Sequence, residues 1–438
     1  MQNLSWKQIL TLITIVGYSG YALCASASFA PINVDGGAQV SLPSVSVKPM
    51  TKKSVDGGVV VKLQTAFDFK VMGYNNNDNE KKNKLFSGFQ PYYGFSSSVH
   101  ANLDIRNTSG EAFEYGCKLD LETTSLNDRT FSSGLYLIGN SGKLELGSEK
   151  SATSKMRITA YSIASGTVGS WEPLFRNKYA TTVAFMTGFG NFIDGKMRVG
   201  TQSEYSRKIT YFTPKVYGCQ LGISYVPDTS NLGSNASIRE SSYASFKDTS
   251  NYEFSVKNAI GYGITNEFET SSGMRVKTAI VGENGQIIPF KAAIRKHGKI
   301  ITPAERIDLK LHNLATYTIG SELRYKEWSF AASYIDFLKS FVLRELDQKN
   351  VNTKRRAWAV GMRYEYDKFS ASLNYLNGFN AGSRTHITTL AADYKPFRGI
   401  MPYGECTFYD ATALVKDGKS DHKKLRGYIF LIGVRVGI

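Results

Sequence analysis

The chain predicts an all-β fold, a transmembrane antiparallel β-barrel of about sixteen strands. Three observations predict it. Apolar and polar residues alternate with period two in stretch after stretch from Val59 to Ile438, as strands do with one face in lipid and the other in water. The connections between these stretches alternate short and long, as periplasmic turns and external loops do. Beyond the N-terminus no apolar run approaches the ~18 residues a membrane helix needs, and only helices and closed barrels satisfy every backbone group in lipid. Composition agrees: aromatic residues make up 13% of the chain while prolines number only 11, which favours strands over disorder.

Residues 1–27 are expected to be a secretory signal peptide. Lys7 supplies the positive end, Ile9 to Ala22 an apolar core too short to span a bilayer, and Ala25-Ser26-Ala27 a small-residue cleavage site. Residues 28–58 are polar, carry Gly36-Gly37 and three prolines, show no sustained period, and are expected to form a periplasmic N-terminal arm. The barrel is expected over 59–438. Its first strand places Val59, Val61, Leu63, Phe67 and Phe69 on one face and Lys62, Gln64, Asp68 and Lys70 on the other. The same pattern predicts strands at 99–106, 113–122, 130–139, 142–148, 204–213, 216–226, 251–264, 266–281, 313–325, 327–338, 354–366, 368–378, 385–395, 399–409 and 425–438. Between them the turns at 107–111, 140–141, 214–215, 326, 367 and 395–398 are short. The segments 73–95, 123–129, 149–203, 227–250, 282–312, 339–353, 379–384 and 410–424 are longer and alternate with them. Within 282–312, Gln286 to Arg295 could form an extra hairpin, which would give eighteen strands. The last strand carries Tyr428, Phe430, Ile432, Val434, Val436 and Ile438 on one face and is expected to close against the first, since an open edge in lipid is prohibitive.

Charge and cysteines narrow the function. The formal charge is +16, but the bases are dispersed and no nucleic-acid motif accompanies them, so nucleic acid is not an expected partner. Cys24 falls in the export segment. Cys117, Cys219 and Cys406 lie at spacings that match no metal site, and are expected as unbonded thiols in strands. The histidines at 100, 297, 312, 386 and 422 form no catalytic motif, and neither a phosphate-binding glycine loop nor a metal-ligand cluster is present. The chain is expected not to be an enzyme and to need no cofactor or metal.

The most specific stretch runs from Gly142 to Asp228. A short strand, Gly142-Lys-Leu-Glu-Leu-Gly147, precedes about fifty irregular residues, and a pair of strands follows, Lys208-Ile-Thr-Tyr-Phe-Thr-Pro214 leading to Gly218-Cys-Gln-Leu-Gly-Ile-Ser-Tyr-Val-Pro-Asp228. An unstructured insertion that long in a compact domain points to a functional segment. This arrangement resembles the Gram-negative general porin family in its alphaproteobacterial style, over roughly residues 59–438. The resemblance implies an outer-membrane channel for passive diffusion of small hydrophilic solutes and ions. It also implies a homotrimer in contact with outer-membrane lipid and lipopolysaccharide, and a third loop, here 149–203, folded into the lumen. An outer-membrane barrel serving mainly in adhesion or surface structure is the alternative.

Candidate pore residues follow. On the inward loop the charged side chains expected at the constriction are Lys150, Lys155, Arg157, Glu172, Arg176 and Lys178, beside Glu149, Asp194, Lys196 and Arg198. Strand parity places Lys62, Asp104, Arg106, Lys118, Lys208, Arg324 and Arg363 on the pore wall, because charge toward lipid is costly. His100, Glu145, Arg275, Lys277 and Arg435 share that parity. The family usually carries acidic residues on this loop opposite a basic wall, whereas here the loop is mostly basic. Positive excess at a narrow, low-dielectric passage predicts a weak anion preference that fades as salt rises.

Overall fold

The computed structural model describes residues 59–76, 93–107, 113–124, 129–166, 206–229, 252–291, 310–340, 354–380, 383–414 and 422–437. It also describes the short pieces 294–296, 299–302 and 305–306 and the single residues 342 and 344. The signal-peptide and N-terminal-arm segments, 1–27 and 28–58, lie outside the described residues, as does Ile438.

Sixteen long strands follow one another in chain order. They are β1 (Val59–Asn76), β2 (Tyr93–Asn107), β3 (Glu114–Thr124), β4 (Arg129–Gly139), β5 (Gly142–Gly147), β6 (Lys208–Phe212), β7 (Cys219–Asp228) and β8 (Tyr252–Glu269). They continue as β9 (Arg275–Lys291), β10 (Leu314–Tyr325), β11 (Trp328–Asp336), β12 (Arg355–Tyr366), β13 (Phe369–Asn380), β14 (Ser383–Tyr394), β15 (Ile400–Leu414) and β16 (His422–Gly437). Each pairs antiparallel with its chain neighbours, and β1 pairs antiparallel with β16 from Ala66↔Gly437 to Asn76↔Gly427. The sheet is therefore a closed barrel with no lipid-exposed edge, as the alternating pattern predicted.

Three expectations need correction. The eighteen-strand alternative fails because residues 282–291 continue β9 along β8 and β10 instead of folding back. The pieces Ile294–Lys296 and Lys299–Thr302 pair only with each other, and the two-residue piece Glu305–Arg306 merely extends the pairing of β9. The turn after β8 lies at 270–274 and not near 265: Gly273 N donates to the Thr270 carbonyl at 2.9 Å, and Thr270 N to that of Met274 at 2.9 Å. The sequence offers β-branched and aromatic residues on both sides of 265, so periodicity alone could not find the break. Strict alternation of loop lengths also relaxes, because the strands leave only 125–128 between β3 and β4 and only 381–382 between β13 and β14.

Parity sorts the side chains. On β1, Val59, Val61, Leu63, Phe67 and Phe69 point outward and are exposed, while Ala66, Asp68 and Lys70 are buried inside. The outer surface is layered. Near the short turns stand Tyr217, Tyr325, Trp328, Tyr366, Phe369, Tyr394 and Phe397, all exposed. A middle band holds Ile223, Ile264, Ile280, Ile319, Val360, Leu373 and Leu390, also exposed. Toward the long loops come Trp358 and Tyr375, with ring centroids 5.3 Å apart. On β12 the outward face runs from Arg356 to Tyr366. Ten residue steps of ~3.3 Å tilted by ~40° give a height of about 25 Å, the span of a membrane barrel's apolar band. Cys117, Cys219 and Cys406 are free thiols, each in register with outward-facing neighbours.

Candidate pore and its inner strap

The third long connection leaves β5 at Gly147. Its φ of 138° is open to glycine, and a Cβ there would sit 2.3 Å from the Ser133 carbonyl oxygen. Ser148 then pins the chain to β4, donating its N–H to the Ser133 carbonyl at 2.7 Å and accepting the Ser133 N–H on its hydroxyl at 3.0 Å. From there residues 148–166 run along the inner wall as a strap. A short helix, α1 (Ala152–Met156), is capped by the Ser151 hydroxyl, and one turn of 3-10 helix follows at Ala160–Ile163.

The wall beneath the strap is made of small and hydroxyl residues that accept it. Ala152 N donates to Ser224 Oγ on β7 at 2.7 Å, and Thr153 Oγ1 to the Gly282 carbonyl on β9 at 3.1 Å. Met156 packs over Gly222 and Gly263, in a buried cluster with Ala152, Phe212 and Val281. At β10 the approach is closest: a Cβ on Gly320 would lie 2.1 Å from the Ile158 carbonyl oxygen. Ala160 N donates to Ser333 Oγ on β11 at 3.2 Å, and Ser165 N to Ser372 Oγ on β13 at 2.8 Å. Gly166 N reaches Asp393 Oδ2 on β14 at 3.0 Å. Each such bond contributes only about 1 kcal/mol net, but leaving these buried groups unpaired would cost more. The Tyr161 hydroxyl is enclosed without a partner among the described residues, and burial pushes its pKa upward.

The opposite part of the wall is charged. Tyr136 Oη donates to Asp104 Oδ1 at 2.9 Å, and the ammonium groups of Lys118 and Lys143 lie 5.6 and 5.5 Å from its ring centre. Arg106 pairs with Glu114 at 3.6 Å, and His100 Nε2 with Asp120 Oδ1 at 2.5 Å. Lys62 is exposed and stands opposite Asp104 in the β1–β2 register. Where strap and wall meet, Glu145 of β5 takes Lys143 Nζ at 2.8 Å on one carboxylate oxygen and Lys155 of the strap on the other. Lys155 also approaches Glu149 at 3.7 Å, and Lys208 Nζ donates to the Glu149 carbonyl.

The expected pore residues thus divide. Lys155 and Lys208 join the strap to the wall, while Lys150 is exposed and Arg157 half-buried on the strap. Asp104, Arg106 and Lys118 form one wall network. Arg324 and Arg363 have the expected inward parity but stand next to the short turns, paired with Glu322 and with Glu365, the latter at 3.0 Å. Glu172, Arg176 and Lys178, with Asp194, Lys196 and Arg198, lie outside the described residues. The sequence reading missed the seat of Gly222, Ser224, Gly320, Ser333 and Ser372. The available signal was a run of small residues at inward parity from β7 to β13, where a plain water-filled barrel would carry larger polar groups.

A closed sixteen-strand barrel with an apolar belt, a charged inner wall and a third connection folded inside defines an outer-membrane channel protein. A family model for the Gram-negative porin matches residues 20–414, and the chain belongs to that family. It is 27% identical to an uncharacterized protein of Rickettsia prowazekii, across 83% of this chain and 87% of that one. A similar protein of Rickettsia typhi is 28% identical over the same shares. Among solved structures, the anion-selective porin from Comamonas acidovorans aligns with a TM-score of 0.54 at 15% identity, covering 87% of this chain and all of that one. A mutant Rh. blastica porin aligns at 0.51 and 12% identity, covering 86% of this chain and all of that one. These two likenesses are of fold.

Proposed function

We propose that the protein is a passive diffusion channel for small hydrophilic solutes and ions, weakly preferring anions. The observation that carries the reading is the strap: a stretch of backbone bound along one side of the lumen, facing a charged wall on the other. A barrel of about sixteen strands encloses a water-filled lumen, and a strap inside it limits the size of what passes.

The anion preference rests on charge near the path. Between Glu149 and Arg157 the strap carries three bases, Lys150, Lys155 and Arg157, and one acid, and the Comamonas neighbour is named an anion-selective porin. Glu145 offsets part of this excess, so the preference is weak. Family membership further supports a homotrimer in contact with outer-membrane lipid; the residue pattern at the N-terminus supports a signal peptide at 1–27 removed on export and 28–58 as a periplasmic arm. No residue in the reading acts as a catalyst.

Purified protein in a planar bilayer is expected to give stepwise conductance increments, and a salt gradient a reversal potential of anion sign that shrinks at high salt. An inserted, folded barrel that stays silent would overturn the channel reading. A cation-signed potential at low salt would overturn the selectivity alone.

A further inference from the structure

The long connections beyond β9 and β11 carry a charge pattern that diffusion through the lumen does not use. The first holds Lys291, Arg295, Lys296, Lys299, Arg306 and Lys310 against only Glu305 and Asp308. The second, up to the start of β12, holds Lys339, Arg344, Lys349, Lys354, Arg355 and Arg356 against Glu345 and Asp347. The long connection 229–251 is balanced instead, Arg239 and Lys247 being matched by Glu240 and Asp248.

The two basic connections are joined to each other. Arg344 N donates to the Lys310 carbonyl at 2.9 Å and His312 N to that of Val342 at 2.8 Å, a short antiparallel ladder that sets Lys310 opposite Arg344. Ser340 Oγ fastens its base, accepting Ala315 N at 2.8 Å and donating to the Ala315 carbonyl at 2.7 Å. Leu311, Phe337 and Val342, on or next to this ladder, are buried, so it is packed structure and not loose chain. Arg344 Nε donates to the Leu311 carbonyl at 3.2 Å, which fixes the direction of the guanidinium. Lys310 and Arg344 are exposed, and neither forms an ion pair among the described residues. Lys339 and Lys354 are exposed toward the two ends of the second connection. On the first, Lys296 stands opposite Lys299 where Ile294–Lys296 pairs with Lys299–Thr302.

Like charges directly opposite each other on paired strands repel, and the repulsion is relieved when a polyanion lies over both. The residue types select the class of polyanion. Neither 291–310 nor 342–357 contains a Phe, Tyr or Trp. Single-stranded nucleic acid is held by stacking on aromatic rings, and protein partners by buried aromatic anchors. Rows of bases without rings read charge alone, as heparin-type patches do.

We propose that this joined pair of connections, with Lys310 and Arg344 at its centre and Lys339 and Lys354 beside them, binds a linear sulfated polysaccharide outside the cell. Sulfates repeating along one chain lie across several bases at once, and the Arg344 fork matches the oxygens of one of them bidentately. The side on which the site acts rests on the outer-membrane reading, which sets the long connections outside the cell.

The test is binding of the folded full-length protein, in detergent, to immobilised heparin, with free heparin, hyaluronan, neutral dextran and double-stranded DNA as separate competitors. Wild type is expected to bind, with an affinity that falls as salt rises, and only free heparin is expected to compete strongly. K310Q/R344Q should bind about tenfold more weakly, whereas K310R/R344K, which keeps both charges, should stay near wild type. K326Q/K368Q removes two exposed bases from the short-turn mouth and should change nothing. A wild type that does not bind at low salt overturns the proposal, as does unchanged binding by a folded K310Q/R344Q barrel. An equal loss in K326Q/K368Q would assign binding to total charge and overturn the site, and DNA competing as well as heparin at equal charge would overturn the polysaccharide. If K310Q/R344Q does not fold, K339Q/K354Q decides: a smaller loss supports the site and unchanged binding overturns it. Conductance of the same samples is read separately without polymer, so a silent wild-type channel would contradict diffusion without touching the binding result.

Discussion

The two halves of the inner wall are built from different residues because they do different work. From β2 to β5 the inward positions hold His100, Asp104, Arg106, Lys118, Asp120, Lys143 and Glu145. From β7 to β13 they hold Gly222, Ser224, Gly263, Gly320, Ser333, Gly361 and Ser372. The first half is left uncovered by the described part of the strap; its charges pair across strands and most remain partly exposed. The second faces the strap and is shaped for close backbone approach, with hydroxyls placed to accept strap N–H groups. Alternation alone makes a barrel from either, so size and charge at the inward positions record which part of the wall is covered.

The largest test removes the covering. Replacing 149–203 by a few residues should leave the sixteen strands paired and raise single-channel conductance severalfold, with weaker size exclusion in a liposome swelling assay. Unchanged conductance from an inserted variant would mean that the strap does not limit flow. A smaller test damages the covered half alone. Gly320→Val would put a Cβ within 2.1 Å of the Ile158 carbonyl oxygen, so the strap must shift or the strand must bend. Overpacking of this kind typically costs about 1–3 kcal/mol, to be read as a lower urea midpoint in vesicles. Lys118→Met on the uncovered half, where the side chain lies over the Tyr136 ring, should change that midpoint little. Equal losses at both positions would erase the distinction between the halves.

How far the sequence revealed this difference depends on which physical constraint spoke. Lipid imposes a period of two along every strand, so the barrel, its closure and the outward faces of β1 and β16 were legible from Val59 and Tyr428 onward. The wall charges were legible for the same reason: a lysine at position 118 or 208 has nowhere else to point. Register between sequence-adjacent strands was less so, as the turn at 270–274 shows, because neither Thr265 nor its neighbours break the pattern. The seat of the strap was hidden. Gly320 and Ser333 stand opposite each other in the β10–β11 hairpin, but nothing in that pairing shows that residues 158–160 pass over them. Glu145 was legible as a wall residue, but not as the group that binds the strap's Lys155.

That junction carries the next prediction, intermediate in size. The family pattern sets loop acids against wall bases; here a loop base meets a wall acid. Glu145 is 4% exposed and holds two lysines. Glu145→Gln would leave Lys143 and Lys155 without their main counter-charge, so destabilisation of a few kcal/mol is expected, about 3 being typical when one partner of a buried pair is removed. Anion preference should rise, seen as a reversal potential moved further in the anion direction. Lys155→Gln should move it the opposite way. If both variants shift it in the same direction, the pair acts on pore shape and not on pore charge.

The smallest effect is expected at the short-turn mouth. Arg324 and Arg363 have inward parity, yet the Arg324 side chain is 56% exposed and each arginine has a nearby carboxylate, Glu322 or Glu365. In open water such pairs contribute little, and beyond ~8–10 Å salt screens them from an ion in the narrow part. Arg324→Gln and Arg363→Gln, singly or together, should therefore leave conductance at 1 M salt unchanged and shift the low-salt reversal potential by less than Lys155→Gln does. Charge in the mouth still adds to the local ion concentration when screening is weak, so the residual shift should vanish as salt rises, whereas that of Lys155→Gln should persist longer because its partners are buried. A mouth variant that matched Lys155→Gln in size and salt dependence would mean that selection occurs at the short-turn rim, and that the meeting of strap and charged wall sets only the size limit.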